Sequence, residues 1–209
     1  MIINIAVFIS GRGTNLQSII DSIENDEIPV NIKAVISDNE EAYGLVRARE
    51  ADIETFWIDP DKYQTDEKFE DEILSILEKK NIELVALAGF MRLLSPYFLN
   101  NFSGRTMNIH PSLLPSFRGL HAQKQAIDYG VKISGCTVHF VDEGMDTGPI
   151  ILQEAVPVYD SDDEESLAAR ILEKEHQIYP EAIRLYAEGK IKVDCRKVKR
   201  LEEKYTYEG

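Results

Sequence analysis

Cysteine is scarce in this chain. Only Cys136 and Cys195 occur among 209 residues, with no CxxC pair and no cysteine–histidine spacing of a metal site. That usage argues against a disulfide scaffold and for reduced thiols in a reducing, cytoplasmic compartment. Cys136 is expected as a small buried residue and Cys195 as an incidental one. No metal ligand set is visible. Long apolar runs are missing too: no stretch approaches the roughly 20 residues of a membrane helix, so no membrane partner is expected. Met1-Ile2-Ile3-Asn4-Ile5-Ala6-Val7-Phe8 has no basic flank and soon meets Ser10-Gly11-Arg12-Gly13; it reads as a first strand, not a signal peptide. Positive charge is also short, with 23 Lys and Arg against 37 Asp and Glu, a formal net charge of −14. Such a field repels nucleic-acid phosphates over most of the surface, so no nucleic-acid partner is expected. A small phosphorylated ligand would need a local site of backbone N–H groups or a few placed cations.

What is present is a strand–helix rhythm. With 44% hydrophobic and 29% charged residues, the chain suits one globular domain over 1–209. Ile3 to Ile9 is apolar except for Asn4, as in a strand buried on both faces of a parallel sheet. Leu16, Ile19, Ile20 and Ile23 then fall on one helical face. Further strands are predicted at 32–37, 54–58, 84–89 and 106–109, with helices at 42–51, 66–80, 96–102 and 122–129. The βαβ order implies an α/β, Rossmann-like doubly wound, mostly parallel sheet with right-handed crossovers. The last strands, 135–141 and 149–158, alternate more and are expected to pair antiparallel toward the C-terminal part. Ser161-Asp162-Asp163-Glu164 reads as a capping box opening a long helix, and Pro180 should kink or interrupt it. The tail after Gly189 is charged and carries no strand expectation.

Two segments concentrate chemistry. Gly11, Arg12, Gly13, Thr14 and Asn15 lie between a buried strand and an amphipathic helix, where doubly wound folds bind anions at a helix N-terminus. Position 16 is Leu, so the third glycine of a dinucleotide fingerprint is missing, as is the Gly-Lys-Ser/Thr ending of a P-loop. A phosphate monoester fits better than a dinucleotide or triphosphate; the same glycines also suit a plain tight turn. Asn108 and His110 alternate with Met107 and Ile109, so both polar side chains face one side of a strand. Pro111 and Pro115 stiffen the loop that follows. Asn supplies a neutral donor and His a titratable one, although a single His is as readily structural. Asp146, in the acidic loop after residue 141, lies where it can reach His110, or else marks a solvated turn. His139 is read as structural.

Taken in order, Ser10–Asn15, Ala88–Pro96, Asn108–Pro115 and Val138–Pro149 resemble the motifs of the folate-dependent formyltransferases, and weakly so on to Glu175-His176-Gln177-Ile178-Tyr179-Pro180. The likeness covers about nine tenths of the chain and is strongest to members acting on glycinamide ribonucleotide. It implies the formyltransferase fold, with 10-formyltetrahydrofolate as co-substrate and the ribonucleotide amine as acceptor. By the same resemblance Asn108, His110 and Asp146 are the catalytic set. Gly13, Thr14 and Asn15, flanked by Gly11 and Arg12, hold the ribose phosphate, and Glu175 lies near the amine or ribose. Phe90, Met91, Arg92, Leu93 and Leu94 line the folate pocket, with Val141, Asp142, Glu143, Gly144 and Asp146 reading the pterin-like ring. Two departures stand out: Arg12 replaces a frequent Asn, and Asp66 stands where some members place a basic residue near the folate tail. Asp146 is expected to raise the His110 pKa and keep it charged. A monomer or homodimer is equally compatible. Related enzymes acting on methionyl-tRNA or amino sugar nucleotides, a formyl-folate hydrolase and a non-catalytic sensor are the rivals.

Overall fold

The computed structural model describes residues 2–201; Met1 and residues 202–209, which the single-domain expectation takes in, lie outside the described residues. The chain runs β1 (Ile3–Ile9), α1 (Thr14–Glu24), β2 (Val30–Ser37), α2 (Tyr43–Glu50), β3 (Thr55–Trp57), α3 (Asp66–Lys79), β4 (Leu84–Leu87), α4 (Pro96–Asn101), β5 (Thr106–His110), α5 (Ala122–Tyr129), β6 (Ile133–Phe140), β7 (Ile150–Pro157), α6 (Glu164–Ala187), β8 (Ile191–Asp194) and β9 (Lys197–Arg200). These strands form one nine-stranded sheet in the order β3-β2-β1-β4-β5-β6-β7-β9-β8. The first five positions are parallel, and β6 pairs antiparallel with both β5 and β7. This is the α/β, mostly parallel sheet with antiparallel strands toward the C-terminus that the patterning implies.

Alternation along β1 sorts the core into two layers. Ile3, Ile5, Val7 and Ile9 pack with Leu16 and Ile19 of α1, Leu45 of α2 and Ile171, Ile178 and Ile183 of α6. Ala6 and Phe8 pack on the other side with Phe69, Ile73 and Leu77 of α3 and Phe98 of α4. Both faces of the strand are therefore covered, which is why β1 reads as a near-continuous apolar run. Helix α1 starts just beyond the carboxyl end of β1, and α6 packs on α1, β6 and β7 and bonds to Leu87 at the carboxyl end of β4; such ends are where open α/β sheets form crevices.

Two expectations are corrected here and a third, for Pro180, is narrowed. The helix cap is Asp163, not Ser161: its carboxylate accepts from Ser166 N at 2.8 Å, and Ser166 Oγ accepts in return from Asp163 N at 3.1 Å. Arg170, bidentate on Asp162, then ties the start of α6. Pro180 does not interrupt α6, which is helical from Glu164 to Ala187. Pro180 removes one N–H, but Tyr179, Ala182 and Ile183 around it are fully buried, so packing outweighs that loss. The charged tail forms the β8–β9 hairpin, with Val193 opposite Val198 and Lys192 opposite Lys199.

Candidate active site

The glycine turn is shaped by close backbone approach. Gly13 has φ +68°, and a Cβ there would lie 2.5 Å from Gly44 Cα, so any larger residue meets both strain and collision. Gly44 N donates to Gly11 O at 3.0 Å, and Arg47 Nε donates to Arg12 O at 3.0 Å. These bonds pin the turn from α2. As the residue preceding α1, Gly13 offers no side-chain acceptor to the first turn, which leaves the helix N-terminus with its partial positive charge open to an anion. Arg12 itself is exposed.

Asn15 turns the other way. Its Nδ2 donates to Glu175 Oε2 at 2.8 Å, while its Oδ1 is buried without a donor among the described residues. Burial pushes the Glu175 carboxyl up, and the Asn15 hydrogen bond offsets only part of that. Glu175 is carried by α6, which Tyr179 anchors one turn later: its hydroxyl lies 2.9 Å from Leu87 O and 3.2 Å from Met107 O. Thus the end of β4 and the start of β5 position the carboxyl that faces the glycine turn.

A second group sits where β5 meets β6. The antiparallel register puts Asn108 directly opposite His139, and Asn108 Nδ2 lies 3.3 Å from His139 Nε2. His139 Nδ1 is 2.8 Å from the Phe140 carbonyl. A carbonyl only accepts, so the proton is on Nδ1 and Nε2 presents a lone pair to the Asn108 amide. His110 Nε2 donates to Phe117 O at 2.8 Å by the same reasoning, leaving Nδ1 at 3.4 Å from Asp146 Oδ2. Asp146 Oδ1 is 3.6 Å from His139 Nε2, and Oδ2 accepts from Gly119 N at 2.8 Å. The structure therefore brings Asn108, His110 and Asp146 together and adds His139, which the sequence reads as structural. The signal for it was the strand pairing: a histidine across from Asn108 on a neighbouring strand shares its face.

The charges in this group are set by burial. Burial lowers the His110 pKa; the Phe117 carbonyl and Asp146 pull it up without overcoming that. Asp146 does favour the charged imidazole, as expected, yet the net direction is down, so His110 rests neutral near pH 7. Burial works against the Asp146 charge as well, but the His139 contact, the Gly119 N–H and His110 outweigh it and hold its carboxyl at about 2. Of these the Gly119 bond is the firmest, since 3.6 Å from His139 is beyond hydrogen-bond range. Asp146 also has φ +53°, a left-handed conformation that the short loop imposes and Asp tolerates.

The two groups are joined by the segment after β4. Ser10 N donates to Gly89 O at 3.0 Å and Met91 N donates to Ser10 Oγ at 2.9 Å. Phe90, Leu94 and Val141 pack into the same apolar layer, while Met91 and Leu93 stand 64% and 74% exposed, open to a flat apolar ligand. Asp142 folds its own loop, with Oδ1 accepting from Thr147 Oγ1 at 2.6 Å and Gly144 N at 3.2 Å. Glu143 is exposed beside it. Cys136, its thiol pushed up to about 12 by burial and Glu175, is chemically inert. Among the described residues, no group of three or more His, Cys, Asp or Glu is placed to hold a metal ion. No helix there is long and apolar enough to cross a membrane.

The fold is an α/β sheet that carries an anion-type turn after β1 and a largely buried Asn–His–Asp cluster at β5 and β6. Residues 3–183 match the formyl transferase family, and the chain belongs to it; the protein is an enzyme, a formyltransferase. It is 43% identical to the phosphoribosylglycinamide formyltransferase of Escherichia coli over 190 residues, 91% of this chain and 90% of that one. The solved structure of glycinamide ribonucleotide transformylase 1 from Symbiobacterium toebii superimposes with a TM-score of 0.95 at 51% identity, covering 96% of this chain and 95% of that chain. That of phosphoribosylglycinamide formyltransferase from Anaplasma phagocytophilum gives 0.89 at 43% identity, over 97% and 96%.

Proposed function

We propose that this enzyme moves the formyl group of 10-formyltetrahydrofolate to the amine of glycinamide ribonucleotide, giving formylglycinamide ribonucleotide and tetrahydrofolate in cytoplasmic purine biosynthesis. The observation carrying this reading is the Asn108–His110–Asp146 cluster beside an open helix N-terminus, one suited to acyl-group chemistry and the other to a phosphate. The whole chain, 1–209, acts as one domain on small molecules, with no nucleic acid or membrane partner.

In this reading the ribose phosphate takes the backbone N–H groups after Gly13, with Gly11, Arg12, Thr14 and Asn15 around it. The donor-less Asn15 Oδ1 and the Glu175 carboxyl receive the ribose and amine groups. The folate rings lie between Phe90–Leu94 and Val141–Asp146, with Asp142, Glu143 and Gly144 at the ring edge. The neutral amine attacks the formyl carbon and negative charge builds on the formyl oxygen. Asn108 has two amide hydrogens and spends one on His139, so the second is free for that oxygen. A neutral His110 and an ionised Asp146 facing each other leave a vacancy for one proton between Nδ1 and Oδ2. The proton lost by the amine enters that gap, which makes His110 cationic beside the oxyanion. The same proton then passes to the folate nitrogen as its bond to carbon breaks. This reverses the order first expected from the sequence: the imidazole gains its charge during the reaction.

Absorbance as the protein is mixed with 10-formyltetrahydrofolate tests the reading. Folate release only in the presence of glycinamide ribonucleotide, with formylated product, is the expected result. Release without acceptor would establish a hydrolase, and no release would discard this donor.

A further inference from the structure

The wall of the proposed donor site carries an ion pair that the reaction does not use. Arg92 Nη2 lies 2.8 Å from Asp66 Oδ1, and its guanidinium sits 5.3 Å from the centre of the Phe69 ring. Asp66 is 72% exposed and Arg92 36% exposed, so the pair faces solvent. The backbone beneath is fixed independently. Glu70, one turn further along α3 and almost fully buried, accepts from Ser95 N at 2.7 Å and contacts Ser95 Oγ. Tyr97 donates to Asp71 at 2.6 Å. Removing Asp66 therefore leaves Ser95 and Tyr97 held in place.

Charge gives the pair a consequence. Of the two wall segments, 90–94 and 141–146, the first contributes one cation, Arg92, and the second contributes Asp142, Glu143 and Asp146. A formyl donor ending in carboxylates meets repulsion along the second segment and its one attractive charge on the first, at Arg92. That guanidinium already gives one hydrogen bond to Asp66, whose charge offsets part of its pull on a second carboxylate.

We propose that Asp66 is an internal competitor for the Arg92 guanidinium and sets how strongly this enzyme prefers formyl donors with an anionic tail. The proposal rests on the donor reading above and sharpens it to a tail subsite. An exposed pair is weak, so displacing it changes affinity by a factor of about 2 to 5. The competition is electrostatic and shrinks at high salt.

Two donors separate the effect: 10-formyltetrahydrofolate, whose glutamate carries two carboxylates, and the methyl ester of 10-formyltetrahydropteroate, which carries none. Asp66→Asn is expected to lower KM for the first by about 2- to 5-fold and leave the second unchanged, at low ionic strength. In an Arg92→Ala background the same substitution should do nothing. Equal shifts for both donors, no shift for either, or an effect that survives loss of Arg92 would overturn the proposal. Turnover of the unaltered enzyme with either donor is a separate readout that tests the donor reading. If turnover is absent, calorimetric titration with tetrahydrofolate and the tetrahydropteroate ester reads the same ratio, with the same expected and overturning results.

Discussion

The two halves of the site are built by opposite means. The glycine turn uses backbone: Gly13 at φ +68°, packed on Gly44, opens α1 without a side-chain cap. The cluster at β5 and β6 uses side chains, each fixed by a second partner: Asn108 by His139, His110 by Phe117 O and Asp146 by Gly119 N. A backbone site binds whatever charge the helix end favours and tolerates change in side chains. A side-chain site places individual protons and tolerates little. Substitutions in the first half should therefore raise KM for the ribonucleotide, and substitutions in the second should lower kcat.

The largest effect belongs to the side-chain half. Asn108→Ala removes the free amide hydrogen and is expected to cut kcat by about 10²–10³-fold, as loss of one oxyanion donor does elsewhere. KM for glycinamide ribonucleotide should stay within about 2-fold in the same steady-state assay, since no phosphate contact is touched. Near-normal turnover would remove Asn108 from the chemistry and break the contrast at once. Next comes the backbone half. Gly13→Ala puts a Cβ against Gly44 and an L-residue in the left-handed region, a strain of about 1–2 kcal/mol. About a 10-fold rise in KM for the ribonucleotide is expected, with kcat changed far less. Equal losses in kcat would show that the turn serves the reacting atoms as well.

His139 joins the two lessons. It was legible only after strand pairing was known, because nothing in Thr137-Val138-His139-Phe140 alone says which strand lies alongside. The glycine turn, by contrast, is a local device, and local devices survive in sequence: β1, α1, α3 and α5 fall where hydrophobic spacing puts them. Non-local ones do not. The neutral state of His110 depends on burial under a loop, so a neighbouring carboxylate pointed to the opposite charge state. That Pro180 leaves α6 uninterrupted is not legible locally, because the buried contacts holding the helix lie in distant segments. The β8–β9 hairpin was hidden since Lys and Arg interrupt an apolar face of only Ile191, Val193 and Val198. As a positioning residue, His139 should matter less than Asn108. His139→Ala is expected to lower kcat by about 2- to 10-fold, the worth of one orienting hydrogen bond. Gln, which also offers an acceptor, should recover part of it, and a purely packing role predicts that Leu recovers more than Gln.

The smallest effect distinguishes the halves by pH. The glycine turn at 11–15 holds no histidine or carboxylate, while the other half carries His110, whose pKa lies below the ordinary 6.5 because burial disfavours the cation. The proton gap works only while His110 is neutral, so activity should show an acid limb centred below pH 6.5, distinct from the limb of the acceptor amine, which reacts neutral and titrates at about 8. Asp146→Asn keeps the shape but deletes a charge that raises the His110 pKa; whatever activity remains should show that limb displaced further toward acid. Stability should follow the same sign. Both His110 and Asp146 have depressed pKa values when folded, so the unfolded chain binds more protons as pH drops and the fold loses their contribution. The His110 share is complete above pH 6.5 and lost as pH falls through its folded value. The Asp146 share is complete above its unfolded 3.8 and lost as pH falls toward about 2. Thermal denaturation of the Asp146→Asn enzyme should therefore be less acid-sensitive between pH 4 and 2 than that of the unaltered one. A limb that Asp146→Asn displaces but that is centred above 6.5 would mean that the imidazole rests charged after all, and the proton gap between Nδ1 and Oδ2 would already be filled before the amine arrives.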